Sequence, residues 1–437
     1  METISKNRWI NNLNIFSSKI LMPIMAILFI CTNTVLNLWI GERTETIQNL
    51  LAIVILFIVA ANLLSSPRNS LIPWLRSNVL VVVYFIIRLI SLWQSGFDYS
   101  VIRTIFFEMF FLIGICGVTI SAVNRRNFYI KFFIWFELII SLLCVLIFFV
   151  VPHLSSGMQE FVATCTYYEK AVTASLFSNV NTAGIMAGFS IVLSIAVYKK
   201  SILPGKFVIA FGFYNVVALL FFGARSANIG IIVVLLFVGI KYISKSGNLK
   251  RFTIIALCLM VLTLIPIYGM IGYYESKQTL SYESIEDKLS SLSSSRYIIW
   301  KESFLIQKDN LLFGKGNLKL EQEARKELVD NIRPTASTRF YTTTELGPHN
   351  GYIGMISGTG WLGFLVFIAI LIQRIRRSKS LESGNWYLLL IFFFAINCFE
   401  SLFILNRFFI CFYMFLILES DWEKRDETYL DNIKTDK

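Results

Sequence analysis

Three side chains carry most of the chemistry available to this sequence: Arg225, Arg296 and His349. A guanidinium is a planar, permanently charged fork that binds phosphate oxygens in pairs. An imidazole donates a hydrogen bond or shuttles a proton near neutral pH. The combination suits a phosphate-bearing substrate with a proton moving beside it. Arg225 lies in Phe222-Gly223-Ala224-Arg225-Ser226-Ala227-Asn228, at the mouth of an apolar run. Snorkelling to the lipid headgroups accounts for it as well as anion binding does. Arg296 opens an amphipathic segment, where a cation is slightly unfavourable because the helix N-terminus is already positive. A bound anion would cancel that penalty. His349 follows Pro348 and precedes Asn350, which can cap the next helix and leave its free N–H groups facing an anion. Glu345, four residues before His349, is a candidate to orient it or act as base.

Other polar residues are less pointed. Phe177-Ser178-Asn179-Val180-Asn181 interrupts the start of an apolar run, so Asn179 and Asn181 could line a cavity. Arg88, Glu108, Glu137 and Glu400 fall at or near membrane depth, where ionisable groups are functional candidates and are usually paired. Arg88 and Glu108, in neighbouring runs, suit mutual neutralisation. Arg325, Arg333 and Arg339 read as a solvated face. Gly354, Gly358, Gly360 and Gly363 read as close helix packing. There is no P-loop, no dinucleotide glycine fingerprint and no metal-spaced histidine pair, so no cofactor and no metal is expected. Six of the seven cysteines lie in apolar runs, which is neither a disulfide framework nor a zinc site.

The elements that must position these groups are membrane helices. Of 437 residues, 56% are hydrophobic and only 16% charged, against ~25% charged in soluble proteins. Apolar runs long enough to cross a ~30 Å hydrocarbon core recur throughout. The reading is an all-α polytopic membrane protein of about twelve spans. They run over Ile20–Ile40, Ile47–Leu64, Asn78–Trp93, Val101–Val123, Phe128–Val151, Leu176–Tyr198, Lys206–Phe222, Ala227–Ile243, Phe252–Tyr273, Gly351–Gln373, Trp386–Glu400 and Arg407–Leu418. No cleavable signal is expected, because the first run is long enough to stay and lacks a cleavage pattern. Residues 1–274 thus hold nine spans, 275–350 one large polar loop, 351–420 three more spans, and 421–437 a tail.

Lys and Arg crowd alternate connections, including Arg125, Arg126 and Lys131, then Lys199, Lys200 and Lys206, then Lys241, Lys245, Lys250 and Arg251, then Arg374, Arg376, Arg377 and Lys379. The intervening short loops hold only Arg43, Arg103, Lys170, Arg225 and Arg407. The positive-inside bias therefore assigns both termini to the cytoplasm and the 275–350 loop to the outside. The net charge of +12 is this bias and does not call for nucleic acid. Within the loop, Ser293-Ser294-Ser295 can cap a helix over Arg296–Lys308, with Tyr297, Trp300, Phe304 and Leu305 as its apolar stripe. Phe313-Gly314-Lys315-Gly316-Asn317 reads as a turn, and a second, charged helix is expected over Leu320–Val329. An outer face has no ATP, so any group transferred there must arrive already activated.

The set resembles the bacterial O-antigen polymerase and O-antigen ligase superfamily. The resemblance rests on Phe177–Asn181, Ala224-Arg225-Ser226, Arg296 with Trp300, Phe313–Asn317, and His349-Asn350-Gly351-Tyr352 followed by Gly358-Thr359-Gly360-Trp361-Leu362-Gly363. It implies a GT-C-like, metal-independent, inverting glycosyltransferase in the bacterial cytoplasmic membrane, acting on a polyprenyl-diphosphate-linked oligosaccharide. By the same resemblance, Arg225 and Arg296 would hold the diphosphate and His349 would act at the reacting centre. Asn179, Asn181, Trp300, Glu345, Asn350, Tyr352 and Glu400 are the expected substrate contacts. Membrane lipid and a chain-length regulator protein are candidate partners, for a product such as O-antigen, capsule or exopolysaccharide. The motifs do not divide polymerase from ligase; composition rich in Phe, Ile and Asn favours the polymerase. A transporter of the lipid-linked sugar is the rival class, but no internal repeat relates the two halves.

Overall fold

The computed structural model describes residues 22–31, 78–109, 126–150, 180–198, 202–244, 248–265, 296–332, 347–378 and 385–403, with isolated positions beside them. Helices account for nearly all of it: α1 (Met22–Cys31), α2 (Val79–Gln94), α3 (Tyr99–Met109), α4 (Arg126–Val150), α5 (Val180–Val197), α6 (Gly205–Phe222), α7 (Arg225–Ser244), α8 (Leu249–Leu262), α9 (Arg296–Gln307), α10 (Leu318–Ile332), α11 (Gly351–Arg377) and α12 (Trp386–Asn397). Among the described residues, α4, α5, α6, α7 and α11 are each long and apolar enough to cross a membrane. Lipid offers the backbone no hydrogen bonds, so apolar runs satisfy their N–H and C=O groups internally as helices. The protein is an all-α polytopic membrane protein. The expected spans Ile47–Leu64 and Arg407–Leu418 lie largely outside the described residues, as do Arg333 and Arg339.

Two helices that are apolar all round form the centre. Every residue of α12 is buried, and α5 is buried along most of its length. Phe392 of α12 sits between Gly188 of α5 and Gly230 of α7, where a Cβ would come within 2.7 and 2.8 Å of neighbouring side chains. Small residues here let three helices approach closely. Outside this core, α6 and α7 turn Ile209, Phe213, Leu220, Ile232 and Leu236 outward, a lipid-facing surface. Glu137 of α4 accepts a hydrogen bond from Asn215 Nδ2 of α6 at 3.2 Å, so that membrane-depth carboxylate is paired.

The bundle has two chemically different ends. Asn181 opens α5 and bonds Glu400 after α12; Asn350 before α11 donates to Cys398 O at 3.0 Å; Thr263 after α8 meets Cys398 Sγ at 3.8 Å. At the other end Lys241 lies over the Tyr387 ring at 4.8 Å, joining the end of α7 to the start of α12. Lys206, Lys250, Arg376 and Arg377 belong to that second end by helix direction.

The glycine run of α11 has a different function from the packing expected of it. Gly360 has φ +67° and ψ 178°, which breaks α11 after two and a half turns. The bonds that the break releases are replaced by the loop between α9 and α10. Lys315 N donates to Ser357 O (2.8 Å) and Gly316 N to Gly358 O (3.0 Å), while Trp361 N and Leu362 N donate to Leu311 O (3.0 Å) and Leu312 O (3.2 Å). Buried backbone groups must be paired somewhere, and here the turn over residues 311–316 does it. Arg88 of α2, ion-paired with Glu108 of α3 at 2.7 Å, also donates from Nη1 to Gly358 O at 3.0 Å. The expected neutral pair is thus also a clasp on the broken helix. Ser91 Oγ adds a 2.7 Å bond to Phe313 O.

Gly360→Ala tests this join. A Cβ would overlap the Leu312 carbonyl in a backbone conformation that L residues rarely adopt. Purified protein should still be helical, but trypsin should cut at half-buried Lys315 several-fold faster than in the unaltered chain. Equal resistance would contradict the docking.

Candidate active site

The site forms where one carboxylate collects partners from three other parts of the chain. After α12 the backbone turns back because Asn397 Oδ1 accepts from both Leu402 N and Phe403 N at 3.0 Å. That turn presents Glu400, whose side chain is only 9% exposed. Its Oε1 accepts from Arg296 Nη2 and from Asn181 Nδ2, each at 2.8 Å. Its Oε2 lies 3.3 Å from His349 Nδ1. Arg296 and His349 remain 19% and 25% exposed, so both reach solvent beside the buried carboxylate. The structure therefore brings Asn181, Arg296, His349 and Glu400 into one contact group.

Each partner is fixed by its own element. Arg296 is the first residue of α9 and Asn181 the second of α5. His349 has φ +45°, in the left-handed region that non-glycine residues seldom occupy. Strain of this kind persists only where neighbours enforce it. Here Trp300 Nε1 donates to Pro348 O at 2.7 Å on one side. On the other, Asn350 caps α11 by accepting from Tyr352 N and Ile353 N, both at 3.0 Å. Three helix N-termini thus start within one or two residues of Glu400's partners, and each brings the positive end of its dipole to the site.

Several expected contacts take other roles. Asn350 is fully buried and committed to capping and to Cys398 O, so it frames the site and does not line it. Tyr352 is also fully buried; its hydroxyl donates to Phe394 O at 3.0 Å and its ring packs on Phe403. Neither reaches a substrate. Trp300 uses its indole N–H to hold the histidine turn. Asn179 and Glu345 lie outside the described residues. Arg225 begins α7, exposed, beside Ala224, which packs on Gly184 one helical turn below Asn181. It stands at the same end of the bundle, and among the described residues it joins no contact with Glu400's group.

A larger departure lies between α9 and α10. Arg325, expected on a solvated face, is fully buried, 2.8 Å from Glu321 Oε1 and 3.7 Å from Glu302 Oε2. Ser303 Oγ donates to Glu321 Oε1 at 2.6 Å, and Gln307 Nε2 to Ser357 Oγ at 2.8 Å. The face of α9 that is buried is accordingly Tyr297, Ile299, Glu302, Ser303, Ile306 and Gln307, with Phe304 and Leu305 only half-buried. Burial pushes the Glu321 carboxyl above its ordinary value, and the Arg325 guanidinium offsets part of that rise. Glu321 and Arg325 are four residues apart in a helix, a spacing that signals an ion pair. That spacing was the legible clue.

A polytopic helical membrane protein with an arginine, histidine and carboxylate gathered at one end of its bundle is the class that the fold and site define. Residues 207–368 match the family model described as O-antigen ligase, which supports the O-antigen ligase and polymerase superfamily and does not separate its two branches. The matched segment includes Arg225, Arg296 and His349, but neither Asn181 nor Glu400. No curated protein matches the chain.

Arg325→Met should uncouple α9 from α10 by leaving two carboxylates buried without their cation. Losing one partner of a buried ion pair costs ~3–5 kcal/mol, so the melting temperature of the purified protein should fall by several degrees. An unchanged melting temperature would show that the loop does not depend on this network.

Proposed function

We propose that this chain polymerises polyprenyl-diphosphate-linked oligosaccharide repeats into surface polysaccharide on the outer face of the bacterial cytoplasmic membrane. The carrying observation is the meeting of Arg296 and His349, both partly exposed, at Glu400 among three helix N-termini. The basic residues at the opposite bundle end support an outward-facing site by the positive-inside bias. There a sugar must come pre-activated, and a lipid diphosphate is an activated leaving group held at the bilayer surface.

The chemistry asks little else of the protein. As the acceptor hydroxyl attacks the anomeric carbon, negative charge grows on the departing diphosphate. Arg296 and Arg225 would supply cationic donors for that charge, with the positive ends of the helices behind them, and a donor held in place typically contributes ~3 kcal/mol. His349 takes the hydroxyl proton. Attack from the face opposite the diphosphate inverts the anomeric centre, and polyprenyl diphosphate leaves beside the membrane. A second reading, ligation of a finished glycan to a lipid or protein acceptor, is favoured by the description of the matching family.

One incubation separates them. Purified protein given only the lipid-linked repeat should release polyprenyl diphosphate and lengthen the glycan. A requirement for an added lipid core would mean ligation; no release with either would sink glycan transfer altogether. Arg225→Ala, Arg296→Lys and His349→Ala should each lower product formation by ~10²-fold or more while the protein still inserts. The lysine is included because an ammonium cannot copy the two-pronged grip. Full activity in the Arg225→Ala protein would remove that residue from the site.

A further inference from the structure

The shared carboxylate of Glu400 raises a chemical problem that its distances resolve. Oε1 is held by a guanidinium and an amide, and Oε2 faces an imidazole nitrogen. Arg296 is therefore already neutralised by a side chain of the protein itself. A diphosphate carries more charge than a carboxylate and offers paired oxygens, so it competes for the same fork. When it wins, Glu400 loses the one guanidinium that pairs with it among the described residues, and it is too buried for water to replace that charge. Asn181 still holds Oε1 in place. The group left to compensate the carboxylate is His349, through Nδ1.

We propose that Glu400 is a donor-gated positioning residue: binding of the diphosphate to Arg296 frees its carboxylate to fix and polarise His349 as the base. This rests on the glycan-transfer reading. With Nδ1–H donating to Oε2, the imidazole is locked in the tautomer whose Nε2 lone pair is free. A carboxylate behind a histidine stabilises the imidazolium that forms when a proton arrives, without taking that proton itself. In the transfer step the acceptor hydroxyl's proton goes to Nε2, and its oxygen bonds to the anomeric carbon. The bond from that carbon to the phosphate oxygen breaks, and its electron pair leaves with the polyprenyl diphosphate. The imidazolium then gives its proton to water. Glu400 stays ionised throughout. Full polarisation of the base thus coincides with an occupied donor site, which couples the two halves of the reaction through one side chain.

The strain at His349 fits this role. With φ +45° and the Trp300 bond to Pro348 O, the ring has little freedom to find Glu400 by chance. The turn after α12 is equally fixed by Asn397. Both ends of the 3.3 Å contact are held by the protein's own hydrogen bonds.

Glu400→Gln in the full chain, reconstituted in nanodiscs, is the test. The amide keeps an oxygen for Arg296 and Asn181 but loses the charge, and its NH2 favours the wrong histidine tautomer. The turnover number should fall about 100-fold or more with the donor KM unchanged or lower, because the fork is less contested. Glu400→Asp should recover part of the turnover. A raised KM at unchanged turnover would mean that Glu400 only shapes the donor pocket, and would overturn the proposal. Nitrogen-15 spectra of the imidazole provide a readout independent of activity. The sequence has two histidines, so a His153→Gln background isolates His349. Nδ1 should carry the proton, and inorganic pyrophosphate should move its proton resonance downfield, with no such movement in Glu400→Gln. A proton on Nε2 in the unaltered site would refute the dyad. The expected tautomer in a protein that transfers no glycan would sink the transfer reading instead.

Discussion

A carboxylate with almost no access to water must be compensated, and Glu400 obtains its compensation from residues 51, 104 and 219 positions away in the chain. This one requirement joins the loop helix α9, the turn before α11 and the start of α5 into a single site. Desolvating an ion costs several kcal/mol even after relaxation, so the arrangement is stable only with Arg296 in reach. Arg296 in turn is exposed enough to exchange the carboxylate for a ligand. The same interaction therefore organises the site and leaves a partly exposed cation in it.

The segment that carries α9 and α10 is attached by devices of different physical kinds. The four backbone hydrogen bonds at the Gly360 break substitute protein for helix, because a broken helix inside a bundle cannot leave its N–H and C=O groups bare. The Arg325 network is electrostatic and buried, tying α9 to α10. The Trp300 bond to Pro348 O links the loop helix to the histidine turn itself. Arg88 and Glu108 then anchor the broken segment of α11 to α2 and α3. Together these give Arg296 and His349 fixed positions, and fixed donors stabilise developing charge without reorganising when it appears.

Much of this fold was readable from the chain. The apolar run read as Lys206–Phe222 is the helix Gly205–Phe222, and the loop helix expected over Arg296–Lys308 spans Arg296–Gln307. Both follow from local chemistry: an apolar backbone satisfies itself, and a serine-capped amphipathic stripe favours a helix. The grouping of Arg296 with His349 was inferred from residue type and resemblance, and contact confirms only that they adjoin. Beyond the Arg88–Glu108 pair, these tertiary pairings were not readable. Gly360 looked like a packing glycine because the turn that replaces its helix bonds comes from residues 311–316, some fifty positions earlier. Arg325 looked solvated because its second carboxylate, Glu302, sits on another helix. Asn350 and Tyr352 carried the right chemistry for a substrate, yet capping and burial consume all of it.

If the polar end of the bundle is a diphosphate site, affinity for the lipid diphosphate must depend on the Arg296 fork, with or without a sugar attached. Binding of a short polyprenyl diphosphate to the purified protein, followed by thermophoresis, measures this directly. The Arg296→Met chain should bind at least about tenfold more weakly, which is the ~1.4 kcal/mol expected of one charge-assisted hydrogen bond. Equal affinity in the two proteins would contradict the account.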